Sequence, residues 1–347
     1  MVTATLTDHA GNTSAFSVPM RIARQILYQR QPVDSPTGLL PPVEAAVADG
    51  AGVAISNALT DLSVMLLASP SGDTLGGTLA QHTAAGVATF ADLQLSQPAV
   101  GYQLRVSAPR LTQADSALFT ISVGAASAGV GGSLVHVPAG MAGEMTIVSV
   151  TVRDAFGNVR TAGGDSVAAS ISGANAGLPV TLVDNHDGTY NLTYTPTVTG
   201  TDQMAITVGG QAIAGSPFSS LVSPAAADPA HCSAVVPAGT AGAPTVCTVT
   251  VRDANDNVRT AGGDSVAATI AGANAGSPVT VTDNADGTYS LSYTPTVSGT
   301  DQVAITVDGQ AIAGSPFSSL VGPAAVDAEH STLTAAPLAA AAGEQAI

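Results

Sequence analysis

The stretch DNHDGTYNLTYTPTVTG at residues 184–200 returns as DNADGTYSLSYTPTVSG at residues 283–299, a period of 99 residues. A unit that occurs twice must fold twice into the same small domain, so its own pattern decides the architecture. Inside it, Asp187-Gly188 is a tight-turn pair. Tyr190, Leu192 and Tyr194 then alternate with Thr189, Asn191 and Thr193, the period of a strand with one buried face. Pro196 ends that strand by removing a backbone donor. Between residues 150–222 and residues 249–321, 13 of 73 aligned positions differ. The duplication reads as recent, and identity between the copies says little about constraint.

The rest of the unit follows the same period. Val135 and Val137 begin it, Val148, Val150 and Val152 alternate with polar residues, and a turn falls at residues 154–158. Val167, Ala169 and Ile171 mark a third strand, Val180 and Leu182 a fourth, Tyr190 to Tyr194 a fifth, and Met204, Ile206 and Val208 a sixth. Residues 211–221 are predicted as the last strand, with Pro217 restricting it to an edge or bulge. Seven short strands in about 90 residues is the pattern of an immunoglobulin-like sandwich. Upstream, residues 23–123 carry predicted strands at 43–48, 63–68, 86–95, 101–107 and 117–122, separated by Gly, Pro, Asn and Ser clusters. The fold class expected is therefore all-β, tandem immunoglobulin-like β-sandwich domains. The expected divisions are a terminal hairpin of a truncated domain at 1–22, a sandwich at 23–123 and a flexible linker, GAASAGVGG, at 124–132. The two copies follow at 133–223 and 228–322, and a truncated third copy begins at 323–347.

Composition narrows the function. Apolar residues make up 45% of the chain but aromatic ones only 3%, with no Trp, so the cores must be thin layers of small branched side chains. A net charge of −16, with no Lys and nine Arg, argues against nucleic acid, whose phosphates are bound by clustered cations. No apolar run approaches the ~20 residues of a spanning helix, so membrane insertion is not expected, and Met1 is followed by no secretory leader pattern. GxSxG, HExxH, P-loop and CxxC patterns are absent; no enzymatic activity, catalytic residue, cofactor or metal is expected.

Three features invite a sharper chemistry. Cys232 and Cys247 both occur in the second copy, where the first has Ser133 and Val148. On neighbouring strands with both thiols inward they form either a disulfide, which favours an oxidising compartment, or two buried free thiols. Residues 253–257, DANDN, resemble an acidic calcium-binding linker, but Asp and Asn also cap turns through their own side chains, and the first copy reads DAFGN. His186 stands between Asp184 and Asp187, yet the second copy has Ala285 there, which makes it an exposed loop histidine.

Two families are legible. Gly77-Thr78-Leu79, Gly86 to Phe90, Leu93, Gly101-Tyr102, Leu104 and Phe119 resemble bacterial Ig-like modules of invasin-type surface proteins. The repeated unit resembles the filamin repeat. The motifs that carry it are D-x-x-G-N at Asp154, Gly157 and Asn158, GGD at Gly163 to Asp165, D-x-x-DGTY-x-x-x-Y-x-P-T at Asp184 to Thr197, and I-x-GSPF at Ile213 to Phe218. The second copy departs at Asp256, where the first has Gly157. The filamin resemblance implies that the third and fourth strands frame a groove in which partner peptides add a β-strand. The docking edges it implies here are Ser166-Val167-Ala168-Ala169-Ser170-Ile171-Ser172 and Ser265-Val266-Ala267-Ala268-Thr269-Ile270. The expected partners are β-strand peptides and neighbouring Ig-like repeats. The expected function is that of non-enzymatic spacer and docking modules in a larger protein at a cell surface. The alternative is a fragment of a filamin-like cytoskeletal cross-linker, tied to actin through a calponin-homology head upstream.

Overall fold

In a computed structural model of the chain, residues 7–11, 13, 21–327 and 329–332 are described. All regular structure among them is β, and they contain no helix long and apolar enough to cross a membrane. The expected terminal hairpin and the start of a third copy lie mostly outside the described residues. The turn after Asp8 is described, with Thr7 bridging Thr13. The chain divides into two compact units, one of Met1–Gly140, Met145–Pro196 and Gly200–Leu221, the other of Met141–Glu144, Thr197–Thr199 and Val222–Ile347.

In the first unit, residues 23–123 form a sandwich. One sheet orders Gln25–Arg30, Val43–Ala48 and Val87–Phe90. The other orders Ser35–Pro36, Phe119–Ser122, Ala99–Ser107, Asp61–Ala68 and Ala80–His82. Alternation drives it: Tyr102, Leu104 and Val106 are buried while Gln103 and Arg105 face outward, and they meet Val43, Phe90, Leu93 and Phe119 in one core. The Gln25–Arg30 strand has no counterpart among the predicted ones. Its sequence, QILYQR, buries Ile26 alone, so it lacks the alternation by which strands are read.

The first copy packs a four-stranded sheet against a five-stranded one. The four-stranded order is Leu134–His136, Thr146–Thr151, Thr189–Tyr194 and Thr181–Asp184. The other runs Gly140–Met141, Phe218–Ser223, Gly200–Val208 and Val167–Gly173, with Gln211–Ala212 also on Gly200–Val208. Its core is built from the alternating residues read from the sequence: Val148, Val150 and Val152 against Tyr190, Leu192 and Tyr194, facing Met204, Ile206 and Val208. The expected single strand over residues 211–221 is instead two, Gln211–Ala212 and Phe218–Ser223. Pro217, which cannot donate to a ladder, sits in the gap.

The second copy, in the second unit, repeats this order from Ser233–Val235 to Phe317–Gly322 around its own core. Cys232 and Cys247 belong to that core, and both are free thiols. The disulfide alternative is corrected by register. The strands are neighbours and both thiols point inward, but Ser233 pairs with Thr250, which sets Cys232 beside Val251, four residues along from Cys247. At about 3.3 Å per residue that is an offset of about 13 Å, beyond the reach of a bridge. Cys232 Sγ donates instead to Asp228 O at 3.2 Å, and burial raises the pKa of both thiols. Neither thiol should react with Ellman's reagent in the native chain, and both should react after denaturation without reductant. One bridged pair under those conditions would contradict the register.

Candidate functional site

The Val167–Gly173 strand pairs antiparallel with Gly200–Val208, from Val167 opposite Val208 to Gly173 opposite Asp202, and ends its sheet. Among the described residues, one side of its backbone therefore has no strand partner, although Ile171 O on that side accepts from Gly177 N at 3.1 Å. Val167 and Ile171 are buried, Ala169 is half-buried, and Ala168, Ser170 and Ser172 are exposed; Ser166 precedes the strand and accepts at its carbonyl from Gly209 N. In the second unit Val266–Gly272 does the same against Gly299–Val307. Ile270 is buried, Val266 and Ala268 are half-buried, Ala267 and Thr269 are exposed, and Ser265 lies just before. Among the described residues, Thr181–Asp184 ends the opposite sheet in the same way, paired only with Thr189–Tyr194.

Side chains named by the sequence motifs pin the entry to each docking edge. Gly164 N donates to Asp184 Oδ2 at 2.8 Å, Asp165 N to Tyr190 Oη at 2.8 Å, and Arg160 Nε to Asp165 Oδ2 at 2.9 Å. The second copy repeats the set with Gly263 on Asp283, Asp264 on Tyr289 and Arg259 on Asp264. Amide donors from His186 and Gly164 hold the Asp184 carboxyl below the usual carboxylate range. The GGD and DGTY motifs thus tie the loop before one edge strand to the end of the other. His186 itself is an exposed ring, 3.7 Å from Asp184.

The exit from each edge is fixed by a group that sequence reading missed. Asp202, fully buried, accepts from Asn175 N at 2.8 Å, from Asn175 Nδ2 at 3.1 Å, and from Tyr194 Oη at 3.3 Å. Asp301, Asn274 and Tyr293 repeat the network. The signal was the pair ANAG and GTDQ, present in both copies. Nothing in either stretch marks a carboxylate as inward-facing.

The acidic turn is closed by its own backbone. Asp253 Oδ1 accepts from Asn255 N and Asn257 N at 2.9 Å each, and Oδ2 from Ala225 N at 2.9 Å and Asn257 Nδ2 at 3.0 Å. Donors aimed at both oxygens describe a turn cap, whereas a calcium ion would need those lone pairs. Asp154 is capped likewise, with a further bond from Thr37 Oγ1 at 2.7 Å, which joins the residue 23–123 sandwich to the first copy within the first unit.

The profile of the Filamin/ABP280 repeat matches residues 123–219 and 226–318, more than half of the chain. The chain belongs to the filamin repeat family. Filamin-C of Rattus norvegicus is 35% identical over 143 residues, 40% of this chain and 5% of that protein. Filamin-A of Drosophila melanogaster is 31% identical over 137 residues, 39% of this chain and 6% of that protein. The chain therefore spans about a twentieth of these filamins. Among solved structures, the Escherichia coli adhesin FdeC aligns over 88% of this chain and all of its own, at 21% identity and a TM-score of 0.49. Two of the filamin motifs now have a physical content: GGD and the DGTY stretch supply donors and acceptors that fix the loops beside the edge strands, through Asp184 and Tyr190 at the entry and Tyr194 at the exit.

Proposed function

We propose that the chain is a run of non-enzymatic spacer and docking modules within a larger protein, and that the filamin-repeat edges Val167–Gly173 and Val266–Gly272 are the docking strands. The observation that carries this reading is the outer side of each edge strand, which no other strand covers among the described residues; its far end is capped locally, Ile171 O accepting from Gly177 N at 3.1 Å and Ile270 O from Gly276 N at 3.0 Å. Each strand's apolar alternates are already buried or half-buried, so an extended peptide that pairs there gains main-chain hydrogen bonds without unfolding anything. The edges carry neither Lys nor Pro, the residues that ordinarily block such addition. A surface setting follows from the resemblance of residues 23–123 to bacterial Ig-like modules, and the free thiols lend it nothing. The identity to filamin-C favours a second reading, a piece of a filamin-like cross-linker acting through an actin-binding head elsewhere.

Selection of a random-peptide phage library on the full chain, followed by amide-shift mapping with an enriched peptide, tests the docking reading. Shifts are expected along Val167–Gly173, Val266–Gly272 or both, with Ser170→Lys and Thr269→Lys together weakening binding by about tenfold or more. Enriched peptides that bind while leaving both strands unshifted would overturn it.

A further inference from the structure

Cys232 and Cys247 are the only thiols in the chain, both lie in the second repeat, and packing there does not need sulfur. The first repeat fills the same two places with Ser133 and Val148, both buried. Ser133 Oγ accepts from Arg153 N at 3.1 Å, and Cys232 Sγ accepts from Arg252 N at 3.4 Å in the same way. Serine and valine thus satisfy one copy of the fold, and the cysteines add a chemistry to the other.

The register that separates the thiols is held by edge strands. Ser233–Val235 ends the four-stranded sheet, paired among the described residues with Thr245–Thr250 alone. The chain then crosses to the other sheet, where Gly239–Thr240 is again at the end, against Phe317–Gly322, and Ser319 Oγ donates to Pro237 O at 2.8 Å between the two. Edge strands with one neighbour open at a lower free energy than the core strands between them. While this segment is seated, Cys232 and Cys247 are buried, so an oxidant reaches neither sulfur. Burial also raises both thiol pKa values, which leaves little of the thiolate that attacks a disulfide. Once the repeat opens, only residues 233–246 separate the cysteines. A flexible loop of that length closes in about 10–100 ns and sets an effective concentration on the order of millimolar.

We propose that Cys232 and Cys247 form an oxidative latch: a low-molecular-weight disulfide that reaches them when the second repeat opens converts them to an intrachain bridge, and the repeat stays open until the bridge is reduced. One cysteine thiolate attacks the oxidant's disulfide, forms a mixed disulfide and expels one thiolate. The other cysteine thiolate attacks the protein sulfur of that mixed disulfide, closes the Cys232–Cys247 bond and expels the second. The two cysteine thiols are oxidised, losing two protons and two electrons, and the oxidant is reduced to two thiols that take them up. A bond between the sulfurs is incompatible with the native offset of about 13 Å, so Ser233–Val235 cannot return to its place on Thr245–Thr250. The first repeat has no thiol and is insensitive. The latch stands whether or not either edge strand docks a peptide.

The full chain, unfolded in urea with oxidised glutathione and returned to native buffer, should have lost two hydrogens by mass. Its first repeat should melt cooperatively and its second should not. Dithiothreitol should restore both transitions. In native buffer the bridge should form slowly, and about tenfold or more faster in Gly287→Val, where the added Cβ would lie 1.9 Å from Arg259 O and forces the turn open. Cys232→Ser with Cys247→Val carries the first repeat's residues and should keep both transitions through the same treatment. A bridged chain whose second repeat melts like the reduced one would overturn the proposal. So would thiols left free after the urea step, a glutathione adduct as the only product, or equal rates in the unaltered chain and Gly287→Val.

Discussion

Gly188→Val is expected to unfold the first filamin repeat and leave the second folded. Gly188 closes the turn before the Thr189–Tyr194 strand at φ +84°, a conformation that a β-branched residue adopts only under strain. Space forbids it as well: a Cβ there would lie 1.9 Å from the carbonyl oxygen of Arg160. That backbone cannot withdraw, because Arg160 N donates to Val152 O at 3.0 Å and Val152 N to Gly188 O at 2.9 Å, which fastens the turn to the core strand. The cost should exceed about 4 kcal/mol, most of the stability of a small domain. The second repeat has its own turn at Gly287 and its own core of Val249, Tyr289, Leu291 and Ile305, so its melting transition should persist. Calorimetry or amide exchange distinguishes the cases; loss of both repeats in one transition would refute two independent cores.

Asp154→Ala should loosen the first repeat from the sandwich that precedes it and destabilise the repeat by about 1–3 kcal/mol. Its side chain is buried and accepts from Phe156 N, Asn158 N, Asn158 Nδ2, Gly124 N at 3.1 Å and Thr37 Oγ1 at 2.7 Å. Alanine strands these donors, and Gly124 loses the bond that anchors the linker, so proteolysis within residues 124–132 should accelerate. Thr37→Val removes the bond to the sandwich alone and should raise cleavage with little change in the repeat's melting. Burial by itself would push the Asp154 carboxyl up, but the bonds from Asn158, Thr37 and the Asn158 and Gly124 amides outweigh it and lower the pKa from 3.8 to about 2. A depressed folded-state pKa means that this stabilisation is complete above 3.8 and lost as the pH falls toward 2. Melting of the first repeat should therefore drop over that window, and Asp154→Ala should flatten the drop. Equal pH dependence in the variant would assign the acid sensitivity elsewhere.

What could be read in advance was whatever repeats within a few residues. The alternation of Tyr190, Leu192 and Tyr194, of Val148, Val150 and Val152, and of Met204, Ile206 and Val208 placed the core, because a strand's side chains point to opposite faces by turns. Strand QILYQR was lost for the converse reason. Buried Asp202 and Asp301 were lost because a carboxylate is satisfied inside only when distant donors converge on it.

The duplicated DGTY stretch by itself determined a β-sandwich built twice, since turn chemistry and period two are properties of neighbours in sequence. Tertiary structure alone decided which edges stay open, that Leu182 faces inward at an uncovered edge, that Asp154 reaches Thr37, 117 residues earlier, and that two inward cysteines on adjacent strands do not meet. Alternation assigns a side chain to a face, whereas register, set by pairing across the sheet, assigns it a neighbour.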